Sequence, residues 1–275
     1  MKGRLIMMAI VIIVIILTGC KGGSRTAINS VSDLKGKVIG TISGSTSEKG
    51  YSDMMTTFIG DEPKEVIPMN RRSDLLAAIL AGKIDAAASP RIVTEYYAKR
   101  NRNLKIIEQP KSFEVNIVMA VRSSDQKLKT DLDSAIAVLQ GNGSLKLLED
   151  KWINNLPVNS EPAFEEIPKI NGSNTFYVGV SGDFAPLDYI ASDGRPAGYN
   201  VALLAEIGKI LKVNFEIVSI ETQAKFVALE SKKIDAVFFH WTGGQISRFF
   251  NDSNSNYIVT IPYYKDRGGY FLVRN

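Results

Sequence analysis

The sequence is poor in the residues that build crosslinks and metal sites. Its 275 residues hold one cysteine, Cys20, and one histidine, His240. A single cysteine excludes a disulfide within the chain. A lone histidine supplies neither a metal site nor a Ser-His-Asp triad. There is no basic cluster with interleaved aromatics, so nucleic-acid binding has no support beyond a formal net charge of +4. Without Lys2 and Arg4 the 33 Lys and Arg become 31, against 29 Asp and Glu, a near balance that says little about partners. The apolar run Leu5–Leu17 is too short for an ordinary membrane span.

What the N-terminus does have is a charged start, an apolar stretch and a cysteine in succession. The run Leu17-Thr18-Gly19-Cys20 resembles a bacterial lipobox, in which the cysteine is acylated and becomes the first mature residue. The resemblance implies a lipoprotein signal peptide over 1–19, lipid on Cys20 and a flexible tether over 20–29, where Lys21-Gly22-Gly23-Ser24-Arg25 stands. The other reading is an uncleaved N-terminal anchor. Either one places the remaining residues, enough for two small lobes, outside the cytoplasm.

A four-residue phrase is used twice, Lys83-Ile84-Asp85-Ala86 and Lys233-Ile234-Asp235-Ala236. Before the first, Leu75, Leu76, Ile79 and Leu80 recur at helical spacing behind Ser73, a residue type favoured at a helix N-cap, and Gly82 stops the helix. Before the second, Phe226, Val227 and Leu229 end at Ser231-Lys232, and Ala236-Val237-Phe238-Phe239 reads as a buried strand. Helix, tight turn and parallel strand make half of a βαβ unit. Two copies in one context predict two similar α/β lobes.

Along the chain, 37–42 reads as a strand ending in Ser43-Gly44-Ser45-Thr46-Ser47-Glu48. Such a turn opens a helix. Ser45 or Thr46 would cap it, with Glu48 completing a capping box, or the free N–H groups would take an anion. Short strands at 66–69 and 104–107 and a helix at 92–99 predict a mostly parallel sheet. A strand follows at 115–121, then helices near 128–139 and 144–152. Residues 157–173 are proline-rich and polar, the best linker. A new β/α series starts at Phe176–Val180, with a helix at 201–211 and a strand at 215–220.

Two segments resemble the polar amino-acid-binding group of type II extracellular solute-binding proteins of ABC importers (bacterial family 3). Residues 176–274 look like the family's opening lobe, through Asp183-Phe184-Ala185-Pro186-Leu187, the Gly194-to-Gly198 turn with Tyr199-Asn200-Val201, the Lys-Ile-Asp-Ala phrase, Arg248 and Ile261-Pro262-Tyr263-Tyr264. Residues 31–153 look like the rest, through Asp33-Leu34-Lys35-Gly36-Lys37, Gly44-Ser45-Thr46, the other copy of the phrase and Gly141-Asn142-Gly143-Ser144-Leu145. The resemblance implies a two-lobed periplasmic-binding-protein-like type II α/β fold, with mixed sheets flanked by helices and a ligand cleft between lobes. The order is reversed, since the family's opening lobe here comes second. A circular permutation accounts for this, with 30–113 as the family's second lobe, 114–156 as returning strand and terminal helices packing with the other lobe, 157–173 as linker and 174–275 as the first lobe. New ends would then lie at the hinge. The alternative is a chain completed by pairing with another copy; the permuted monomer is the expectation.

What the resemblance implies for the cleft can be set residue by residue. Arg248 falls where a guanidinium pairs with a ligand carboxylate, and Thr242 and Gly243 are both candidates for the neighbouring contact. Asp183 and Phe184 fall where a polar group and an aromatic ring meet the ligand. Ser45 and Thr46 match a helix N-terminal hydroxyl motif. Trp241 could replace the aromatic surface missing at Thr222. Ser89-Pro90-Arg91 stands where an aspartate usually holds a ligand ammonium. Arg91 would repel an amine and attract a second acid group. The expectation is a binding protein, not an enzyme, with no catalytic residue, metal or cofactor. Its partners would be an amino acid or related carboxylate, ABC permease subunits and a membrane reached through Cys20. A sensory or scaffold protein of the same fold is the rival, and a cell-wall enzyme a weaker one.

Overall fold

The computed structural model describes residues 27–43, 48–162, 167, 169–242 and 256–275. The β/α alternation starts with β1 (Val38–Ile42), α1 (Glu48–Ile59), β2 (Glu65–Met69), α2 (Arg72–Ala81), β3 (Ala86–Ser89) and α3 (Arg91–Arg100). Strand β4 (Leu104–Arg122) leads to α4 (Gln126–Gly141), α5 (Ser144–Glu149) and a π-helical turn at Asp150–Asn154. Next come β5 (Thr175–Val180), a small three-stranded sheet of β6 (Asp183–Phe184), β7 (Asp188–Ile190) and β8 (Pro196–Ala197), and α6 (Tyr199–Leu211). The series closes with β9 (Asn214–Ser219), a 3-10 turn at Thr222–Ala224, α7 (Lys225–Glu230), β10 (Ala236–Thr242), β11 (Tyr257–Val259) and β12 (Tyr264–Arg274).

One mixed sheet runs through the molecule in the order β2-β1-β3-β12-β4-β10-β5-β9, with β11 on β4. Parallel β1, β2 and β3 belong to one lobe and parallel β10, β5 and β9 to the other. Between them β4 and β12 lie antiparallel and serve both lobes. Tyr264–Gly268 pairs with Phe113–Ile117, and after a register shift Tyr270–Arg274 pairs with Leu104–Glu108. Among the described residues these are the strands that belong to both lobes, and the shift between Gly268 and Tyr270 marks the bend.

Burial follows this division. In the first lobe, Ile28, Val31, Leu34, Ile39, Met55, Phe271 and Val273 pack on one face of the sheet, and Leu75, Ile79, Ile84, Leu104 and Leu272 on the other. In the second, Leu132, Ile136 and Leu139 of α4 and Trp152 pack with Leu203, Leu204 and Ile207 of α6. Each such side chain, fully buried, is worth about 1.5–3 kcal/mol relative to exposure.

The repeated phrase does the same work in both lobes. Lys83 N–H and Ile84 N–H reach back to the Ala78 carbonyl at 2.8 and 3.4 Å, and Lys233 and Ile234 do so to Ala228 at 2.9 and 3.4 Å. The turn residue is left-handed both times, Gly82 at φ 70° and Lys232 at φ 61°. Ile84 lies over Gly40 and Ile234 over Gly179, where a Cβ would come within 2.5 and 2.7 Å of the isoleucine Cδ1. The duplication read from the sequence is therefore a duplication of geometry.

Three details depart from the sequence reading. Helix α2 starts at Arg72 with Arg71 as N-cap, so Ser73 lies inside the first turn and caps nothing. The strands read at 104–107 and 115–121 are one strand. Asn275 lies not at the bend but at the far end of β12, its N–H on the Asn103 carbonyl at 2.7 Å.

Candidate ligand cleft

The loop entering the second lobe's small sheet is built to hold Asp183 and Phe184 still. The Asp188 carboxylate, 1% exposed, accepts the Ser181 and Gly182 N–H groups at 3.0 Å, the Ser181 hydroxyl at 2.9 Å and Asn200 Nδ2 at 3.0 Å. Asn200 Oδ1 accepts the Tyr263 hydroxyl at 3.0 Å, which ties this loop to the segment leading into β12. The carbonyls of Pro186 and Leu187 accept the N–H groups of Tyr199 and Asn200 at 3.1 and 2.8 Å, so the loop caps α6. Gly198 makes that approach possible. Its φ is 110°, and a Cβ there would sit 2.4 Å from the Leu187 carbonyl oxygen.

Across the seam, α2 of the first lobe points its N-terminus at this loop. The Asp183 carboxylate accepts the Arg72 backbone N–H at 2.7 Å, taking the place of the side-chain cap that α2 lacks. The Arg72 guanidinium lies 3.8 Å above the Phe184 ring, with Nη1 3.4 Å from Asp183 Oδ1. Both Arg72 and Phe184 are buried, and Arg72 Nε has no hydrogen-bond partner. Burial pulls the Arg72 pKa down and the carboxylates of Asp183 and Asp188 work against that. Lys225, at the start of α7 and also buried, is pulled down by the same desolvation, with Asp188 and Asp183 opposing and Arg72 adding to it. Burial pushes Tyr97, beside Arg72, up to about 12. Two cations and two carboxylates thus share a largely buried seam, where charge mismatches cost far more than at the surface.

Of the residues expected from sequence, Asp183 and Phe184 meet at the seam, and Ser89, with Arg72, Thr94 and Tyr97, lines a cavity of about 20 Å³ on the first-lobe side. Arg91 is engaged elsewhere. Its guanidinium donates to Glu95 at 2.8 Å and faces Asp266 of β12 at 3.5 Å, beside the bend. Trp241 and Thr242 lie on β10, in register with Ile117 and Asn116 of β4. Cys20, Ser45, Thr46, Gly243 and Arg248 lie outside the described residues.

The sequence reading missed Arg72, Lys225 and Asp188. Arg71-Arg72 before a helix reads as a solvated pair, and Lys225 reads as the polar start of a short helix. No local signal announces a side chain that buries itself against another lobe 111 residues away.

Two α/β lobes joined by paired strands, with polar and aromatic groups meeting between them, define a two-lobed α/β architecture with a candidate cleft at the seam. Residues 176–274 match the model of the bacterial extracellular solute-binding proteins, family 3, and residues 16–126 match that of a second family, NMT1/THI5 like. The arginine-binding extracellular protein ArtP of Bacillus subtilis (strain 168) is 33% identical over 129 residues, which are 46% of this chain and 49% of that protein. The histidine-binding periplasmic protein of Salmonella typhimurium (strain LT2) is 28% identical over 137 residues, 46% of this chain and 49% of that protein. The chain thus spans about half the length of these curated relatives. An ancestral arginine-binding protein bound to arginine, a solved structure, overlays with a TM-score of 0.45 at 13% identity, covering 88% of this chain and 86% of that one.

Proposed function

We propose that this chain is an extracytoplasmic solute-binding protein, anchored through lipid on Cys20, that captures a small carboxylate-containing solute, an amino acid or a related compound, and presents it to an ABC importer. The observation that carries the reading is the meeting of Arg72 from one lobe with Asp183 and Phe184 from the other, because a cleft whose polar groups converge from two lobes responds to a ligand by closing. The relatives' names, which speak of arginine, histidine and amino-acid binding, support the solute class. Arg248 is the proposed carboxylate clamp, with Thr242 or Gly243 beside it, Ser45, Thr46 and Ser89 on the facing lobe and Trp241 as an apolar wall. Binding involves no reaction, and the chain acts as a receptor rather than an enzyme.

Circular permutation into a monomer is part of the proposal. It is supported by the placing of Ile28, Val31 and Leu34 in one core with Phe271 and Val273, and by Asn29, which accepts from Lys105 at 2.7 Å beside the last pairs of β12 and β4. A sensory role is the second reading, favoured by Arg91 standing where the resemblance expects an amine-holding aspartate. Titration calorimetry of the chain from residue 20 against amino acids and small carboxylates tests the function. A ligand bound with micromolar or tighter affinity and weakened at least tenfold in Arg248→Ala is expected, and a ligand indifferent to that change removes the clamp.

A further inference from the structure

The seam between the lobes holds a guanidinium already. The face of Phe184 and the carboxylate of Asp183 form a platform with the two features a guanidinium needs, a π surface and an anion at its edge. Arg72 lies on it at 3.8 Å from the ring centroid and 3.4 Å from Asp183 Oδ1, reaching in from the opposite lobe. Its backbone N–H donates to the same carboxylate, so helix α2 fixes where the side chain starts. The seat is filled but not saturated: Nε has no partner and the Nη1 contact is long. An occupant held this way blocks competitors by position rather than by unusually strong bonding.

Resting on the reading of this seam as the solute site, we infer that Arg72 is the specificity-determining residue of the cleft: it occupies the Asp183–Phe184 platform and thereby excludes solutes with a cationic guanidinium or ammonium tail. Two consequences follow from charge. A cationic tail would have to displace Arg72 into a seam where Lys225 is also buried, leaving two protein cations and the ligand's against Asp183 and Asp188. A solute with a neutral or anionic tail keeps Arg72 in place and meets no such conflict. Discrimination therefore comes from a repulsive element as much as from an attractive one.

The experiment uses agmatine and L-arginine as probes on the wild-type chain, Arg72→Ala, Arg72→Gln and the double variant Arg72→Ala/Asp183→Asn, with binding read by calorimetry and fold by circular dichroism. Agmatine has the guanidinium but no carboxylate, so its binding reports the platform alone and does not depend on Arg248 or on any natural ligand being found. The expected result is at least a tenfold gain in agmatine affinity in the folded member of the Arg72→Ala and Arg72→Gln pair, abolished in the double variant. Wild-type binding of agmatine as tight as in those variants, or no gain in either, overturns the inference. Failure to find any carboxylate ligand for the wild-type chain would instead count against the proposed function.

Discussion

Asp85 and Asp235 stand 150 positions apart in the chain and make the same pair of hydrogen bonds. Asp85 takes the Val38 N–H on its carboxylate at 2.9 Å and gives its own N–H to the Val38 carbonyl at 2.8 Å. Asp235 treats Tyr177 in the same way, at 2.9 and 2.7 Å. Each aspartate fastens the helix-to-strand turn to the first strand of its lobe, which is why the phrase recurs. These carboxylates are structural.

Replacing either aspartate by alanine removes a strand-end hydrogen bond that is not fully buried, a loss of about 0.5–1.5 kcal/mol. The larger effect is expected at Asp235, whose carboxylate also receives Arg122 Nη2 at 2.8 Å, so that Asp235→Ala strips the mostly buried guanidinium of one of its two carboxylates. Urea melts of the two variants would show this ordering, and an equal loss at both would deny Arg122 a part.

The turn before the second aspartate holds a left-handed lysine where the first holds glycine. A non-glycine residue there costs roughly 1 kcal/mol or more. Lys232→Gly should raise stability by up to about 1 kcal/mol with solute binding unchanged, whereas Gly82→Lys should lower it. Thermal midpoints of the pair give the comparison directly.

At Gly198 any side chain meets the backbone of the loop that presents Asp183 and Phe184. Gly198→Ala is expected to cost more than about 2 kcal/mol, in the range of strained or overpacked sites, and to weaken solute binding together with stability. A variant that melts like wild type would mean that the loop can step aside.

Asp266 gives the fold a pH dependence. Burial raises its pKa to about 6 from an ordinary 3.8, against the N–H groups of Arg267 and Ile92 and the Arg91 cation, while Glu95 adds to the rise. A raised carboxyl pKa means that the folded chain holds this proton more tightly than the unfolded chain does. Its contribution is full below about pH 4 and is lost as pH climbs through about 6, at a rate of about 1.4 kcal/mol per pH step of one within that window. Asp266→Asn should remove that fall from the stability profile between pH 4 and 6. An unchanged slope in denaturant melts across that range would place the titration elsewhere.

Much of the architecture was legible because it is local. The strand at 37–42, the helices at 92–99 and 201–211 and both copies of the phrase announce themselves by apolar spacing and by turn residues. Strand β12 does not, since Lys265-Asp266-Arg267-Gly268 breaks any alternating pattern. It is a strand because Lys265 and Arg267 face Asn116 and Glu114 of β4 across the ladder. The seam was half legible: resemblance to a family named Asp183 and Phe184, which the fold places there, but nothing in the sequence named Arg72, whose position depends on where another lobe stands.

The position of β12 in the sheet has a consequence for how the chain is made. The last strand in sequence is a central one in the first lobe, between β3 and β4, and Tyr270 meets Glu108 across 162 residues. During synthesis, residues 27–109 emerge early yet cannot finish their sheet, and until residues 270–274 arrive the facing edges of β3 and β4 stay open to each other or to a neighbour. Assembly of the early lobe is thereby timed by the late one, so slow folding is the natural cost of this strand order.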